Sequence, residues 1–510
     1  MILLMHNFKE VTSIILDDTS IPFNSRLSIA KNVYTLALQF PNKIIIWSHE
    51  DVGSIIDLDY CSSIFESGRS MRSYNPIKNY LTDTIGYVED SPFINVSKKV
   101  IYPTWQMSSL VGGIKATVIL QTDERSWDAT DFDYCLNSIA KIYQPLGLFC
   151  YSDPKLLKAT TKLVLPKANF NQLFKFVKQH YKVIWVYLLL LNILLHDKKV
   201  PFFSVLNTFF VKKHSVNNVA CDFKSEKIKS DVSKETIDVI IPTIGRKQYL
   251  HDVLLDLKAQ LHLPVRVIIV EQNPLLDSVS ELDYIENENW PFEIKHIFTH
   301  RAGACNARNL ALEEVKSKWF FLNDDDNRFE STLIRDALQY LLHYKFKCIT
   351  TFYPQKKEKM KSSLLNQSAI FGSGNAFLDA RCLNDVQFSN ALEFGYGEDS
   401  DFGMQLRNVG IDVIYVPKLV IVHLKAPIGG FRTKPVLKWS KEIIQPKPSP
   451  TIMLYKMKHN TTQQILGYKS VLFFKYYKAQ KIKNPFRYYE MFQKQWKQSV
   501  FWATELNKVK

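Results

Sequence analysis

Three consecutive carboxylates, Asp324, Asp325 and Asp326, follow the apolar run Trp319-Phe-Phe-Leu-Asn with no basic residue among them. Charges of one sign packed this closely raise one another's pKa unless a cation neutralises them. A hard divalent ion such as Mg2+ or Mn2+ is the usual partner of clustered oxygen ligands. A second acidic group, Glu398-Asp399 with Asp401, opens a helical pattern after Gly397. Paired carboxylates there can bind hydroxyl groups, and one can accept a proton. Alone, an Asp triplet reads as a solvated turn, and acids at a helix start read as caps. The elements around them decide which reading holds.

Trp319–Leu322 has the pattern of a short buried strand. Ahead of it, Asp238–Ile241, Val265–Val270 and Ile294–Phe298 are strand-like, while Tyr249–Leu261 and Ala302–Val315 have helical spacing. Such alternation gives a mainly parallel sheet covered by helices, with ligands at the carboxyl ends of the strands. Polar residues stand at those ends: Thr243 and Arg246, then Glu271, then the Asp triplet. Farther on, Gly372-Ser-Gly-Asn-Ala lets backbone approach a sugar, with Asn375 offering an amide. His423 ends the strand-like Val416–Val422. Lys425 and Arg432 flank Gly429-Gly, a basic loop suited to closing over a phosphate.

Five segments occur in one order: Ile240-Ile-Pro-Thr, Val267-Ile-Ile-Val-Glu, Gly303-Ala-Cys-Asn-Ala-Arg-Asn-Leu-Ala-Leu, Phe321-Leu-Asn-Asp-Asp-Asp and Gly395-Tyr-Gly-Glu-Asp-Ser-Asp-Phe-Gly-Met-Gln-Leu. Together, over roughly residues 236–433, they resemble a family-2 glycosyltransferase with the α/β, Rossmann-like GT-A fold. The resemblance implies metal-dependent, inverting transfer of a sugar from a nucleotide-diphosphate donor, foremost a UDP-sugar. The acceptor would be a glycan or glycolipid in surface polysaccharide synthesis, with Mn2+ or Mg2+ as cofactor. Pro242, Thr243, Arg246, Glu271, Arg308, Asp324, Asp325 and Arg432 fall at donor-binding positions. Asp324, Asp326 and the downstream His423 are the implied metal ligands. Asp399 is the implied base, with Glu398 beside it, and Gly374, Asn375 and Asp401 are implied acceptor contacts. Two positions depart from the family pattern: Glu271 replaces the usual Asp, and Asn323 stands where the metal motif often begins with Asp.

Residues 1–157 show a similar alternation and are expected to form a divergent second GT-A-like domain. Arg26–Trp47 parallels Tyr249–Val270, which sets Ser48 against Glu271. Gly86-Tyr-Val-Glu-Asp parallels Phe320-Phe-Leu-Asn-Asp-Asp-Asp, Gly112-Gly-Ile-Lys parallels Gly372-Ser-Gly-Asn, and Leu146-Gly-Leu parallels Val409-Gly-Ile. No Gly-Glu-Asp precedes its last helix, where Asp131 and Asp133 stand, so this domain is expected to scaffold or bind acceptor. Retained activity through Glu89 and Asp90 would instead make the chain a bifunctional polymerase.

Residues 158–235 read as an apolar helical connector and linker. The uncharged run Val183–Leu195 is shorter than the ~20 residues a membrane span needs. Residues 434–510 carry 16 Lys/Arg and three acids, most of the formal net charge of +15, interleaved with aromatic rings. That basic helical end suits the anionic inner face of a cell membrane. A non-enzymatic nucleic-acid-binding protein is the competing reading, disfavoured because the charge is confined to the tail. The seven cysteines include no Cys-x-x-Cys, and charged residues soon interrupt apolar Met1–Met5. Both features predict a cytoplasmic protein without a secretory leader.

Overall fold

The computed structural model describes residues 1–65, 68–214, 230–355, 358–360, 362–427 and 436–508. The chain forms two compact units, Met1–Lys224 with Asn460–Gln480 and Ser225–His459 with Lys481–Lys510. Strands in the first unit are β1 (Ile2–His6), β2 (Val11–Leu16), β3 (Thr19–Ser20), β4 (Ile44–His49), β5 (Ser70–Tyr74), β6 (Tyr102–Pro103), β7 (Val111–Lys115) and β8 (Phe149–Ser152). Those in the second are β9 (Ile237–Thr243), β10 (Arg266–Gln272), β11 (Glu293–Thr299), β12 (Trp319–Asn323), β13 (Asn327–Phe329), β14 (Cys348–Phe352), β15 (Asn366–Gln367), β16 (Asn375–Asp379) and β17 (Ile414–His423). The helices up to residue 210 are α1 (Ile29–Gln39), α2 (Leu58–Phe65), α3 (Ala116–Ile119), α4 (Phe132–Tyr143), α5 (Phe170–His180), α6 (Ile184–Asn192) and α7 (Phe202–Asn207). The later helices are α8 (Lys247–Lys258), α9 (Tyr284–Asn287), α10 (Ala304–Leu312), α11 (Leu333–His343), α12 (Glu398–Asn408), α13 (Pro450–His459), α14 (Thr462–Ala479) and α15 (Pro485–Asn507).

The second unit holds the α/β GT-A sheet expected from the motifs, in the order β11-β10-β9-β12-β16-β14-β17-β13. Strands β10 and β12 are buried along their whole length, as parallel strands covered on both faces must be. β12 runs parallel to β9 and antiparallel to β16. Across that antiparallel pair Phe321 stacks on Phe377, with ring centroids 4.1 Å apart and planes 3° from parallel. Such cross-strand ring pairs fix register. The register pairs Asn323 with Asn375, so Asp324 is the first residue beyond the paired strand.

The first unit repeats the plan in the order β3-β2-β1-β4-β7-β5-β8-β6. β4 lies parallel to β1 and antiparallel to β7, as β12 does to β9 and β16. This corrects the expected alignment of the repeat. β4 occupies the place of β12, not of β10, and the Ser48–Val111 pair stands where Asn323–Asn375 does. His49, not the Glu89 region, therefore takes the position of Asp324. The expected parallel at Leu146 agrees with the strand pairing, β8 sitting as β17. At Gly112 the strand corresponds but the register does not: with Val111 in the place of Asn375, Gly112 stands for Ala376, not Gly372. The error arose because β2 folds back as a hairpin strand, so the first unit has no second parallel strand before its helix.

Two further sequence boundaries shift. The apolar segment read as a connector packs within the first unit, where α5 buries Leu173, Phe174, Phe176 and Val177 in its core. The basic C-terminal region is divided: α14 belongs to the first unit, and α13 and α15 to the second. Gly467 on α14 lies so close to the first unit that an added Cβ would stand 2.3 Å from the Tyr87 carbonyl oxygen. Backbone cannot yield there as a flexible side chain would. Gly467→Ala is thus expected to destabilise the first unit by roughly 1–3 kcal/mol, the usual cost of overpacking. Denaturant unfolding followed by circular dichroism reads that change.

Candidate active site

At the carboxyl end of the second sheet lies a cavity of about 760 Å3. Its lining includes Pro242, Thr243, Arg246, Arg308, Asp324–Asp326, Gly374, Asn375, Glu398, Asp399 and His423. Most of the sequence-predicted site residues therefore converge. The three aspartates do not share one environment. Asp325 turns back toward the sheet, accepting hydrogen bonds from Thr243 Oγ1 at 2.7 Å and Arg246 Nη1 at 2.5 Å. Burial pushes its pKa up to about 6, against the pull of Arg246. Asp324 turns the other way and accepts from Arg308 Nη2 at 3.1 Å and Tyr353 Oη at 3.0 Å. Asp326 accepts from the Ala426 backbone N–H at 2.8 Å. Burial raises its pKa, but His423, the Ala426 N–H and Arg246 together hold it below the ordinary range.

Ligand atoms of Asp324, Asp326 and His423 lie within 4.8 Å of one another, the one such cluster of three or more among the described residues. Asp326 Oδ1 is buried, 3.4 Å from His423 Nε2, and makes no hydrogen bond. A buried carboxylate oxygen without a hydrogen is costly unless something positive meets it. Two carboxylates and an imidazole on this spacing fit a divalent ion of the Mn2+ class. His423 is held flat against Tyr353, centroids 4.9 Å apart with planes 4° from parallel. The same tyrosine hydroxyl donates to Asn327 Oδ1 at 2.7 Å. Tyr353 thus braces two of the three ligands, and sequence reasoning missed it. Its signal was a tyrosine and Pro354 directly following a strand in the same sheet.

Asn323 explains one departure from the family pattern. It is buried inside the strand, and its Oδ1 accepts from Asn327 Nδ2 at 2.7 Å. An aspartate there would add charge to the sheet interior, so the ligand pair begins one residue later. Gly374 is required beside it, because a Cβ at that position would lie 2.1 Å from Asp324 Oδ2.

Other expected contacts are placed elsewhere. Glu271 stands outside the cavity lining, its carboxylate already accepting from Ser280 Oγ, the Glu281 N–H and His296 Nε2. Asp401 is buried away from the cavity against His459 Nε2 at 2.7 Å and Gln405 Nε2 at 2.7 Å. Asn375 lines the cavity, but its amide donates to Thr350 and Thr351, which fixes it to the neighbouring strand. Arg432 lies outside the described residues, while Lys425 borders the cavity with its backbone in the left-handed region, φ 58°.

Glu398 and Asp399 face the cavity from the first turn of α12. Asp399 Oδ1 accepts from the Ser373 N–H at 3.2 Å, and burial raises its pKa against the pull of Arg308. Burial and the neighbouring Asp399 push Glu398 up to about 7. Glu393 was not foreseen either. Its two carboxylate oxygens accept from the N–H groups of Cys305 and Asn306, capping α10 at the cavity wall. Gly303 makes room for it, since a Cβ there would stand 2.5 Å from that carboxylate.

The first unit differs at the corresponding place. His49 packs against Phe8, with ring centroids 4.2 Å apart, and His6 Nε2 lies 2.9 Å from the Ser109 carbonyl. Asp133 there accepts from the Ser109 N–H, two residues before β7, as Asp399 does from Ser373 before β16. The Asp399 position keeps its carboxylate, but His49 under a phenyl ring stands in the place of Asp324, and Glu50 and Asp51, which follow it, are exposed. Glu89, on which the bifunctional alternative relies, is buried against Lys141 and Tyr181.

Residues 238–391 match the sequence model described as glycosyl transferase family 2. This segment is a family-2 glycosyltransferase domain. The transferase domain is similar to an uncharacterized glycosyltransferase of Rickettsia conorii, 26% identical over 168 residues, covering 33% of this chain and 27% of that protein. A Rickettsia felis glycosyltransferase is 25% identical over 168 residues with the same coverage. The match thus spans about a quarter of the length of these curated relatives. Among solved structures, S. aureus TarS 1–349 in complex with UDP-GlcNAc is similar over 46% of this chain and 70% of that chain, with 14% identity and a TM-score of 0.34. GalNAc-T7 with UDP, GalNAc and Mn2+ is similar over 38% of this chain and 44% of that chain, with 10% identity and a TM-score of 0.30.

Two outcomes follow for the transferase domain. Gly374→Ala is expected to displace Asp324 and weaken Mn2+ binding at least tenfold, read by isothermal titration, with the fold retained by circular dichroism. Glu398 binds its proton more tightly folded than unfolded, so it lowers stability as pH rises from its ordinary value toward about 7. Glu398→Gln is then expected to stabilise the protein by roughly 1–2 kcal/mol at about pH 8 and negligibly near pH 4. Thermal melts at the two pH values measure the difference.

Proposed function

We propose that the chain is a metal-dependent, inverting glycosyltransferase that moves a sugar from a nucleoside-diphosphate donor to a glycan or lipid-linked acceptor. A UDP-sugar is the first donor to test. The observation that carries this reading is the joint arrangement of the Asp324, Asp326 and His423 cluster and the Asp399 carboxylate around one cavity. Asp324, Asp326 and His423 would hold a Mn2+ or Mg2+ ion. When bound, that ion supplies charge neutralisation for the leaving diphosphate.

The chain's own residues perform the rest. Arg246 and Arg308 hold Asp325 and Asp324 in position, and Lys425 at the rim offers a further positive charge to the diphosphate. Thr243 and Pro242 line the donor side. Asp399, held by the Ser373 N–H, accepts the proton of the acceptor hydroxyl as its oxygen attacks the anomeric carbon. Attack opposite the leaving group inverts configuration. Glu398, whose raised pKa keeps it partly protonated near neutrality, donates a hydrogen bond to an acceptor hydroxyl. Asp401 and Glu271 support this machinery from outside the cavity.

Asp399→Asn is expected to bind donor with near-normal affinity while transfer falls by 10³-fold or more, in the range general-base removal produces. Screening nucleotide-sugars for Mn2+-dependent hydrolysis identifies the donor, and single-turnover transfer then measures the variant. Wild-type turnover by Asp399→Asn would sink the assignment.

A further inference from the structure

A surface of the first unit carries side chains that neither the fold nor the transfer site uses. Helix α6 continues through a wider turn to residue 197, burying Val186, Leu189, Asn192 and Ile193. Its other face leaves Val183, Ile184, Tyr187, Leu194 and Leu195 exposed. After a short link, α7 and the turn Thr208–Phe210 that follows it bury Ser204, Val205 and Thr208 and expose Phe202, Phe203, Leu206, Phe209 and Phe210. Phe203 is 79% and Phe210 89% exposed, so whole phenyl rings stand in solvent. Scattered apolar residues need no explanation, but a run of this length on adjoining elements does. Both α6 and α7 pack on α5, which anchors the segment to the core.

The charges around this patch have one sign. Lys182, Lys198, Lys199, Lys212 and Lys213 are all exposed. The one acid between residues 171 and 214, Asp197, is half-buried and accepts a hydrogen bond from Tyr87 Oη at 2.7 Å. Helix α14 of the same unit packs against α6 and adds exposed Phe474 and Tyr477. Aromatic and aliphatic side chains ringed by lysines match a bilayer interface, where the apolar groups enter the acyl boundary and the amines meet anionic headgroups. No helix among the described residues is long and apolar enough to cross a membrane.

We propose that the α6–α7 segment seats the first unit on an anionic lipid surface. The membrane contact that the sequence assigns to the basic C-terminal region is thereby centred on residues 182–213, with α14 at its side. The contact is independent of the chemistry assigned to the second unit, and it would hold the chain where lipid-linked acceptors reside.

Flotation of the full chain with vesicles tests it. The wild-type protein is expected to float with phosphatidylcholine vesicles containing about 30% phosphatidylglycerol and much less with pure phosphatidylcholine. Phe203→Ser with Phe210→Ser is expected to lower partitioning at least tenfold without shifting the melting temperature. Lys198, Lys199, Lys212 and Lys213 changed to Gln is expected to abolish the preference for anionic lipid. Unchanged flotation of the phenylalanine variant, or no flotation of wild type, would overturn the proposal. So would a wild-type dimer that the phenylalanine substitutions convert to monomer while lipid binding is absent, since a second copy would then cover the face. Mn2+-dependent donor hydrolysis without vesicles, measured in parallel, separates failure here from failure of the transfer assignment.

Discussion

Three adjacent carboxylates at the end of a buried strand repel one another, and the second unit is arranged around relieving that repulsion. Each aspartate is sent to a different partner. Asp325 is tied to Thr243 and Arg246 at the neighbouring strand end, and Asp324 to Arg308 on the helix before the strand. Asp326 is left beside His423 with an oxygen that accepts no hydrogen bond from the described residues. The arginines thus do structural work that frees the first and third carboxylates to face one point. Like-charge repulsion between carboxylates held apart by the sheet is relieved by a cation, which is the basis of the proposed metal site.

The sheet supplies the precision. Phe321 against Phe377 and the Asn323–Asn375 pair set where β12 stops, and a one-residue slip would turn Asp324 into the core. Gly374 gives Asp324 its space, and Gly303 gives Glu393 its space. The carboxylates across the cavity are tuned by the same means. Burial raises Glu398 and Asp399, the charge of Asp399 adds to the first and that of Asp324 to the second, and Arg308 moderates both. Arg308 therefore bears on both the proposed metal side and the proposed base side of one cavity.

Much of this was legible in the chain because it rests on local pattern. Apolar runs ending in polar residues marked β9, β10 and β12, and the order of five motifs marked the transferase fold. The directions of Asp324, Asp325 and Asp326 were not legible, because they depend on side chains from four separate elements. Glu271 and Asp401 looked like site residues by position, yet each has its hydrogen-bonding capacity filled by residues distant in sequence, His296 and His459. Tyr353 and Glu393 carried no motif and enter the site only through the fold. The repeat was legible as a repeat, but its register was not. A hairpin at β2 displaced every parallel drawn before β7, and only strand pairing reveals that His49 stands in the place of Asp324.

The central claim is that Asp324, Asp326 and His423 form one divalent-cation site. Electron paramagnetic resonance titration of Mn2+ against the full chain, with and without a nucleoside diphosphate, tests it most directly. The account predicts one site per chain, tightened by the diphosphate, lost in Asp326→Asn and weakened in His423→Ala, while Asp401→Asn binds as wild type. Absence of Mn2+ binding, or unchanged binding in Asp326→Asn, would contradict it.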